Sequence, residues 1–246
     1  MQILVSIDDT DNLTSRGTGH LASLLAVELE AKGWGRSGFV TRHQLFVHPD
    51  IPYTSHNSAM CFSADIGEDA LDSVVAHAAA LLARESAEGS DPGLCVAVIE
   101  RLERHDELAA FGREAKSMVL SKDEAFSVAG RCGMHLSEHG GSGQGVIGAV
   151  AAVALRLSGN DGRLRGRLRL EPVGGIFSVA ELCLLGEIDS VRTLDGRLLP
   201  DQEGVRLGEK AKTVLLDGKS VLLVTPVEST GAPFLQTCPR ELLRNY

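Results

Sequence analysis

The stretch ILVSIDDTDN, residues 3 to 12, places three carboxylates directly after an apolar run. Asp8, Asp9 and Asp11 fall within four positions, where like charges raise one another's pKa unless a cation neutralises them. Mg²⁺ suits such a group, because it prefers hard oxygens and usually takes one or two carboxylates together with substrate phosphates. An Asx turn or a helix cap would need only one of the three side chains. The stretch therefore predicts a metal site with these three aspartates as ligands.

A phosphatase motif is the alternative interpretation of the same turn. Haloacid-dehalogenase-like enzymes place the pattern DxDx(T/V) after a hydrophobic strand, and Asp9-Thr10-Asp11 is similar to its first three letters. Leu13 stands where the pattern has Thr or Val, so the match is partial. A metal-dependent phosphatase therefore remains open as an alternative function.

The second candidate is a glycine-rich segment, GGSGQGVIG at residues 140 to 148, which opens onto an apolar helical stretch. Residues 143 to 148 have the dinucleotide-binding spacing G-x-G-x-x-G, but residues 135 to 139 before them lack the pattern of a buried strand. Glycines let backbone N–H groups approach a ligand, and a helix N-terminus carries partial positive charge. The segment predicts anion binding, with Gln144 donating to a phosphate or capping the helix. Close packing of a buried helix is the alternative.

Other polar residues give weaker signals. His56 and Asn57 lie in a polar loop and His139 adjoins the glycine segment, so each is a candidate to contact a ligand. None of these histidines has metal-ligand spacing to another histidine. Four arginines alternate with other residues between positions 163 and 169. On a strand they would share one face, which could bind phosphates or simply face solvent.

Composition limits the class of protein. The chain has 246 residues, 43% of them hydrophobic and 23% charged, with a formal net charge of −9. This balance argues against a broad phosphate-backbone-binding surface. The five cysteines form no CxxC pair, so neither a zinc ribbon nor a disulfide framework is predicted. Without a signal peptide or a membrane-length apolar run, we expect a cytoplasmic protein with no membrane contact.

Apolar periodicity predicts the elements that carry these residues. Helical spacing covers residues 18 to 32 and 70 to 84, and strand patterns alternate with helices up to about residue 158. The segment SGNDG at 158 to 162 breaks this pattern, and strand-like sequence follows. The prediction is a mixed α/β, or α+β, fold with a catalytic region at 1–160 and a smaller β-rich unit at 161–246.

Several separate motifs resemble one family of enzymes. SIDDTDN, RGTGHLA, HPDIPYTSHNSA, DPGL and GGSGQGVIGAVAA are similar, in order and spacing, to stretches of the agmatinylcytidine synthetases of isoleucine tRNA. These archaeal enzymes attach agmatine to the wobble cytidine and use ATP. The resemblance covers roughly residues 1 to 155.

This resemblance implies a kinase-like region with a ferredoxin-like element around residues 59 to 100. It makes the three aspartates the metal and catalytic carboxylates and ATP and Mg²⁺ the cofactors. By their motif positions, other residues are implied to contact the nucleotide: Gly17, Thr18, Gly141, Gly143, Gln144 and Gly145. His56 and Asn57 take the place of substrate-contacting residues.

The departures from the family concern charge and extent. The family has Lys and Arg in a PWKTRGN-like loop, where this chain has PYTSHN at 52 to 57. Its zinc ribbon is absent, and its nucleic-acid-binding OB-fold is not recognisable in the remaining sequence. We therefore expect a kinase- or ligase-like enzyme with a small-molecule or nucleotide-like acceptor and no extensive tRNA binding. The alternative from another class is a nucleotide-binding or RNA-associated module without catalysis.

Overall fold

The computed structural model describes residues 1–53, 56–166, 168, 170–227, 234–244 and 246. Backbone contacts divide the chain into two compact units, Met1–Ser158 and Gly159–Tyr246. Thr54 and Ser55 of the polar loop, and Arg167 and Arg169 of the alternating arginines, lie outside the described residues. Both units combine helices with strands, which confirms the mixed α/β class.

The first unit is built on an antiparallel sheet flanked by helices. Its strands are β1 (Gln2–Asp8), β2 (Gly35–Gln44), β3 (Ser58–Ile66), β4 (Gly93–Val98) and β5 (His135–Glu138). Its helices are α1 (Thr18–Ala31), α2 (Leu71–Glu85), α3 (His105–Glu114), α4 (Lys122–Cys132) and α5 (Gly145–Leu157). The sheet order is β5-β4-β1-β3-β2, with every neighbouring pair antiparallel.

The first four strands and two helices form a ferredoxin-like motif. They follow one another as β1-α1-β2-β3-α2-β4, and the strands lie in the order β4-β1-β3-β2. This is the split β-α-β arrangement. The segment 59–100, which the resemblance places in such an element, forms its β3-α2-β4 part, and β1 is its first strand and lies in the middle of the sheet. The acidic turn therefore follows a strand of the ferredoxin-like motif itself.

Period-two alternation along β1 explains the two cores of this unit. Ile3, Val5 and Ile7 are buried against α1 and α2, in a core with apolar residues of β3 and β4. Leu4 lies in the opposite core, together with α3, α4 and α5. Helix α5 is buried nearly all round, as its apolar sequence predicts.

Among its described residues, the second unit contains mostly short strands and one α-helix. Its elements are β6 (Arg163–Leu164), β7 (Ile176–Ser178), α6 (Val179–Gly186), β8 (Ser190–Thr193), β9 (Gly204–Arg206), β10 (Thr213–Leu216), β11 (Lys219–Val227) and β12 (Phe234–Thr237). The strand order is β6-β10-β11-β12-β9-β7, and β8 pairs in parallel with β11. Helix α6 and strands β9 and β11 enclose its larger apolar core.

Two local predictions differ from the structure, and the interpretation of residues 135 to 139 as no buried strand agrees with it. Residues 182 to 186 are helical, because Ser178 and Glu181 form a capping box that starts α6. Residues 135 to 138 do form a strand, at the edge of the sheet and half exposed, which is why their pattern is not that of a buried strand. Among the described residues of the arginine-rich stretch, regular strand structure covers Arg163 and Leu164, and Arg163 is buried.

No helix among the described residues combines the length and the apolar character that crossing a membrane requires.

Candidate functional site

The alternation of β1 sends Asp8 toward helix α5. Asp8 shares its side of the strand with Leu4 and Ser6, opposite to the Ile3, Val5 and Ile7 face. A Cβ atom built on Gly148, in the first turns of α5, would lie 1.8 Å from Asp8 Oδ2. The carboxyl group therefore occupies space that only a glycine leaves open, and the acidic turn contacts the start of α5 directly.

Hydrogen bonds connect the acidic turn to the first turn of helix α1. The Thr18 hydroxyl donates to Asp11 Oδ1 at 3.2 Å and accepts from the Thr10 hydroxyl at 3.2 Å. Thr10 and Thr18 are both buried. Gly17 precedes the helix as its N-cap, with no side chain of its own to satisfy the first N–H groups. The turn thus holds its carboxylates against the N-terminal ends of two helices, α1 and α5.

The glycine segment is braced from two sides at Ser142. On one side, the Ser142 N–H and hydroxyl donate to Asp91 Oδ1 and Oδ2, the latter at 2.9 Å. On the other, Lys122 Nζ donates to the Ser142 carbonyl at 2.6 Å and to Glu138 Oε2 at 2.8 Å. Gly141 and Gly143 both have positive φ and lie in this braced turn. Hydrogen bonds within the protein therefore hold the backbone of the segment without the help of a ligand.

The two motifs line one cavity of about 400 Å³. Its polar side carries Asp8, Asp9, Asp11, Thr18, Asp50, His56, Asn57, Ser58, Ser142, Gln144 and Gly145. Its apolar side includes Leu45, Ile51, Pro52, Tyr53, Met118, Val119, Leu120 and Ile147. Most of the residues predicted from sequence thus meet in one place, whereas Gly17, Gly141 and Gly143 support the cavity without lining it. His139 lies apart, with its ring on the Ser137 hydroxyl.

The electrostatics of the cavity favour protonation or a cation. Burial raises the pKa of Asp8 to about 8, and the charges of Asp9 and Asp11 add to the effect. Burial and the nearby charge of Asp91 raise the pKa of Asp9 to about 6. A carboxyl with a raised pKa lacks a compensating positive charge. Protons or an external cation must supply that charge near neutral pH.

Asn57 holds the loop that closes one side of the cavity. Its side-chain amide donates to the Phe46 carbonyl at 2.6 Å, and its own carbonyl accepts from the Leu45 N–H at 2.9 Å. Gln44 Nε2 also donates to the Asn57 carbonyl, at 2.7 Å. The amide predicted to contact substrate is therefore engaged in positioning its own loop.

Replacing Asn57 with alanine is expected to destabilise the protein by about 1–2 kcal/mol, because the Phe46 carbonyl loses its side-chain donor. Chemical denaturation measures this change. Ser58→Ala, at the next position, is the control: it removes a side-chain bond between strands β2 and β3, the one from Arg42 Nε at 2.8 Å, and leaves the bond to the Phe46 carbonyl in place. Equal stability of Asn57→Ala and wild type would contradict the positioning role.

The donor chemistry fits Mg²⁺, although the carboxylates do not form a complete site by themselves. Among the described residues, no group of three or more His, Cys, Asp or Glu side chains is arranged to hold a metal ion. Asp8 and Asp9 nevertheless line the cavity and carry hard oxygens, and their raised pKa values indicate missing positive charge. Two carboxylates together with substrate phosphates are a common Mg²⁺ environment.

Comparison with known proteins points to one class, the enzymes that modify tRNA. No family model matches the chain. A crystal structure described as a tRNA fluorescent labeling enzyme has a TM-score of 0.55 and 30% identity, covering 63% of this chain and 36% of that one.

Within that class, the similarity is to TiaS, the 2-agmatinylcytidine synthetase of an isoleucine tRNA. The protein from Pyrobaculum neutrophilum (strain DSM 2338 / JCM 9278 / NBRC 100436 / V24Sta) is 32% identical over 157 residues, 62% of this chain and 35% of its own length. The structure of apo TiaS has a TM-score of 0.55 and 21% identity over 96% of this chain and 58% of that one, a likeness of fold. The resemblance indicated by the sequence motifs is thus confirmed. The chain spans about a third of the length of the curated relative.

Sequence reasoning missed two residues that organise the site. In the sequence, Asp91 is noted only as the first residue of the motif DPGL, and Lys122 lies in a charged helical stretch without a motif. Both act on Ser142, and Asp91 lies 51 positions from it in sequence. The one local signal is the position of Asp91 just before the buried strand β4.

Proposed function

We propose that this chain is an ATP- and Mg²⁺-dependent kinase- or ligase-like enzyme related to TiaS, with an acceptor smaller than a whole tRNA. One observation carries the proposal. The acidic turn and the glycine segment, far apart in sequence, line the same cavity, and Asp8 packs against Gly148. Carboxylates on one side and the partial positive charge of a helix N-terminus on the other are complementary to a metal–polyphosphate ligand.

Each motif has a distinct role in this proposal. Asp8 and Asp9, with Asp11 beside them, would hold the metal, since all three residues line the cavity. The positive end of the α5 dipole would attract the phosphates, and the side chain of Gln144 would contact them. When bound, Mg²⁺ would neutralise phosphate charge as it develops during transfer. One of the three carboxylates would also orient the attacking group of the acceptor.

The names of related structures support ATP as the nucleotide. TiaS has been crystallised in a complex described as containing its isoleucine tRNA and ATP, and in another with AMPCPP and agmatine. Both structures are 21% identical to this chain. They describe TiaS, and their ligands are extended to this chain as a proposal.

The expectation of a small acceptor rests on charge and on the cavity walls. The formal net charge is −9. The described residues that line the cavity include no lysine or arginine. A large polyanion gains most of its affinity from such side chains. A compact acceptor that enters the cavity beside the nucleotide avoids this need.

The test is calorimetric binding of ATP in the presence and absence of Mg²⁺, followed by assay of ATP turnover with candidate acceptors. We expect binding that requires Mg²⁺ and turnover that depends on an acceptor. Tight binding without turnover under any acceptor would favour the non-catalytic nucleotide-binding alternative. Phosphate release from small phosphomonoesters without ATP would favour the phosphatase alternative. Absence of both binding and turnover would refute the proposal.

A further inference from the structure

Asp91 lies between the two halves of the cavity and contacts both. Its backbone N–H donates to the carboxylate of Asp9, in the acidic turn. Its carbonyl accepts from the Gly145 N–H, the first residue of α5, at 2.9 Å. Its two carboxylate oxygens accept from the N–H and the hydroxyl of Ser142. A single residue outside both motifs therefore connects the acidic turn, the glycine segment and the start of α5.

The surrounding backbone leaves room for these contacts only because of glycine. A Cβ atom on Gly141 would lie 1.9 Å from Asp91 Oδ1, and one on Gly145 would lie 2.4 Å from the Asp91 carbonyl oxygen. Two glycines of the motif thus serve the approach of Asp91. Both carboxylate oxygens of Asp91 are used on Ser142, which separates this aspartate from those that line the cavity.

We infer that Asp91 is a positioning residue, which holds the glycine segment in the conformation that receives the phosphates of the nucleotide. The inference rests on the proposed function for the identity of the ligand. The carboxylate of Asp91 fixes the Ser142 peptide, and the main chain of Asp91 fixes the distance from Asp9 to Gly145. Asp91 does not contact the reacting groups.

Two substitutions separate hydrogen bonding from charge. Asp91→Asn keeps the shape, because Oδ1 can still accept from the Ser142 N–H and Nδ2 can donate to the Ser142 hydroxyl. Asp91→Ala removes both side-chain bonds and leaves the main-chain bonds in place. A positioning role therefore predicts a large effect of alanine and a small effect of asparagine.

The experiment compares ATP with adenosine in calorimetric titrations of the full chain with Mg²⁺. We expect Asp91→Ala to lower the affinity for ATP by about 10-fold and the affinity for adenosine by less than about 2-fold, because the lost bonds act on the phosphate-binding segment. The affinity of Asp91→Asn for each ligand should stay within about 3-fold of the wild-type affinity. Asp72→Ala, an exposed aspartate in the first turn of α2, is the matched control.

Amide exchange measured by NMR without ligand provides a second readout. Ser142 is an exposed residue whose N–H donates to Asp91, so exchange of this amide should accelerate by about 10-fold in Asp91→Ala and be restored in Asp91→Asn. The Gly145 amide, bonded to the main chain of Asp91, is the internal reference.

The outcomes separate this inference from the proposed function. Unchanged ATP affinity and unchanged Ser142 exchange in Asp91→Ala would overturn the inference. An equal loss of affinity for ATP and for adenosine would overturn the inference too, because such a loss indicates general damage to the fold. If wild type binds no ATP, the proposed function fails, and the Ser142 exchange rates alone then decide whether Asp91 holds the segment.

Discussion

Replacing Asp8 with asparagine is expected to reduce Mg²⁺-dependent ATP turnover by at least about 100-fold, the usual scale for losing one preorganised electrostatic group. Asp8 is the carboxylate that packs against the start of α5, so it lies where both motifs of the cavity meet. Asparagine keeps its size but removes the charge that would attract a cation. The measurement is turnover at saturating ATP over a range of Mg²⁺ concentrations.

The same variant should change how stability depends on pH. The folded-state pKa of Asp8 is raised from 3.8 to about 8, so the folded protein keeps a proton that the unfolded chain releases. Its favourable contribution is complete below pH 3.8 and is lost as pH rises toward 8. Metal-free wild type should therefore be less stable at pH 8 than at pH 5. Because Asp8 lines a water-accessible cavity, we expect the free energy of unfolding to differ by about 1–2 kcal/mol between the two pH values.

Asp8→Asn has no titrating group at this position, so its melting temperature should fall less between pH 5 and pH 8. A residual slope should remain, since the pKa of Asp9 is also raised, to about 6. Thermal melts at pH 5, 6.5 and 8 in the absence of metal measure both proteins. Asp72→Asn, an exposed aspartate, should reproduce the wild-type profile. Identical profiles for Asp8→Asn and wild type would show that Asp8 titrates normally.

Replacing Gly148 with alanine is expected to reduce turnover nearly as much as the loss of Asp8, by about 100-fold. The new Cβ would lie 1.8 Å from Asp8 Oδ2 and 3.1 Å from Leu45 Cδ1, so the carboxyl group must leave its position. Alanine itself favours a helix by up to about 1 kcal/mol over glycine. Helix propensity alone would therefore predict a more stable protein.

Gly130→Ala is the matched control for this variant. Gly130 lies within α4, and a Cβ atom there meets no heavy atom within 4 Å. We expect this variant to gain about 0.5–1 kcal/mol of stability with unchanged turnover. The comparison of the two variants by turnover and chemical denaturation isolates the contact with Asp8. Full turnover by Gly148→Ala would show that the position of the Asp8 carboxyl is not required.

Local sequence patterns predict the helices and strands of the first unit well, because its apolar periods are strong. Residues 18 to 32 and 70 to 84 are predicted as helices and correspond to α1 and α2 within one or two residues. Patterns fail where a short signal overrides composition. The capping box at Ser178 starts a helix in a stretch that its branched and leucine residues make strand-like.

The sequence by itself determined which chemical groups are available and in what local setting. It placed three carboxylates after a buried strand and glycines before an apolar helix, and its motifs indicated the resemblance to the synthetases. These features are local, since they depend on residue type and on spacing within a few turns. In the structure, the alternation of side chains along β1 decides on which side of the sheet Asp8 lies.

Only the tertiary structure decided that the two motifs meet and which residues join them. Their meeting depends on the pairing of β1 with β4 and on the packing of α5 across both strands. No local pattern encodes these contacts, because they join residues far apart in the chain, such as Asp91 and Ser142 at 51 positions. For the same reason Asp91 and Lys122 became visible as the supports of the glycine segment only through their bonds to Ser142. The acidic turn was recognisable from its sequence, but its partner across the cavity was a property of the fold.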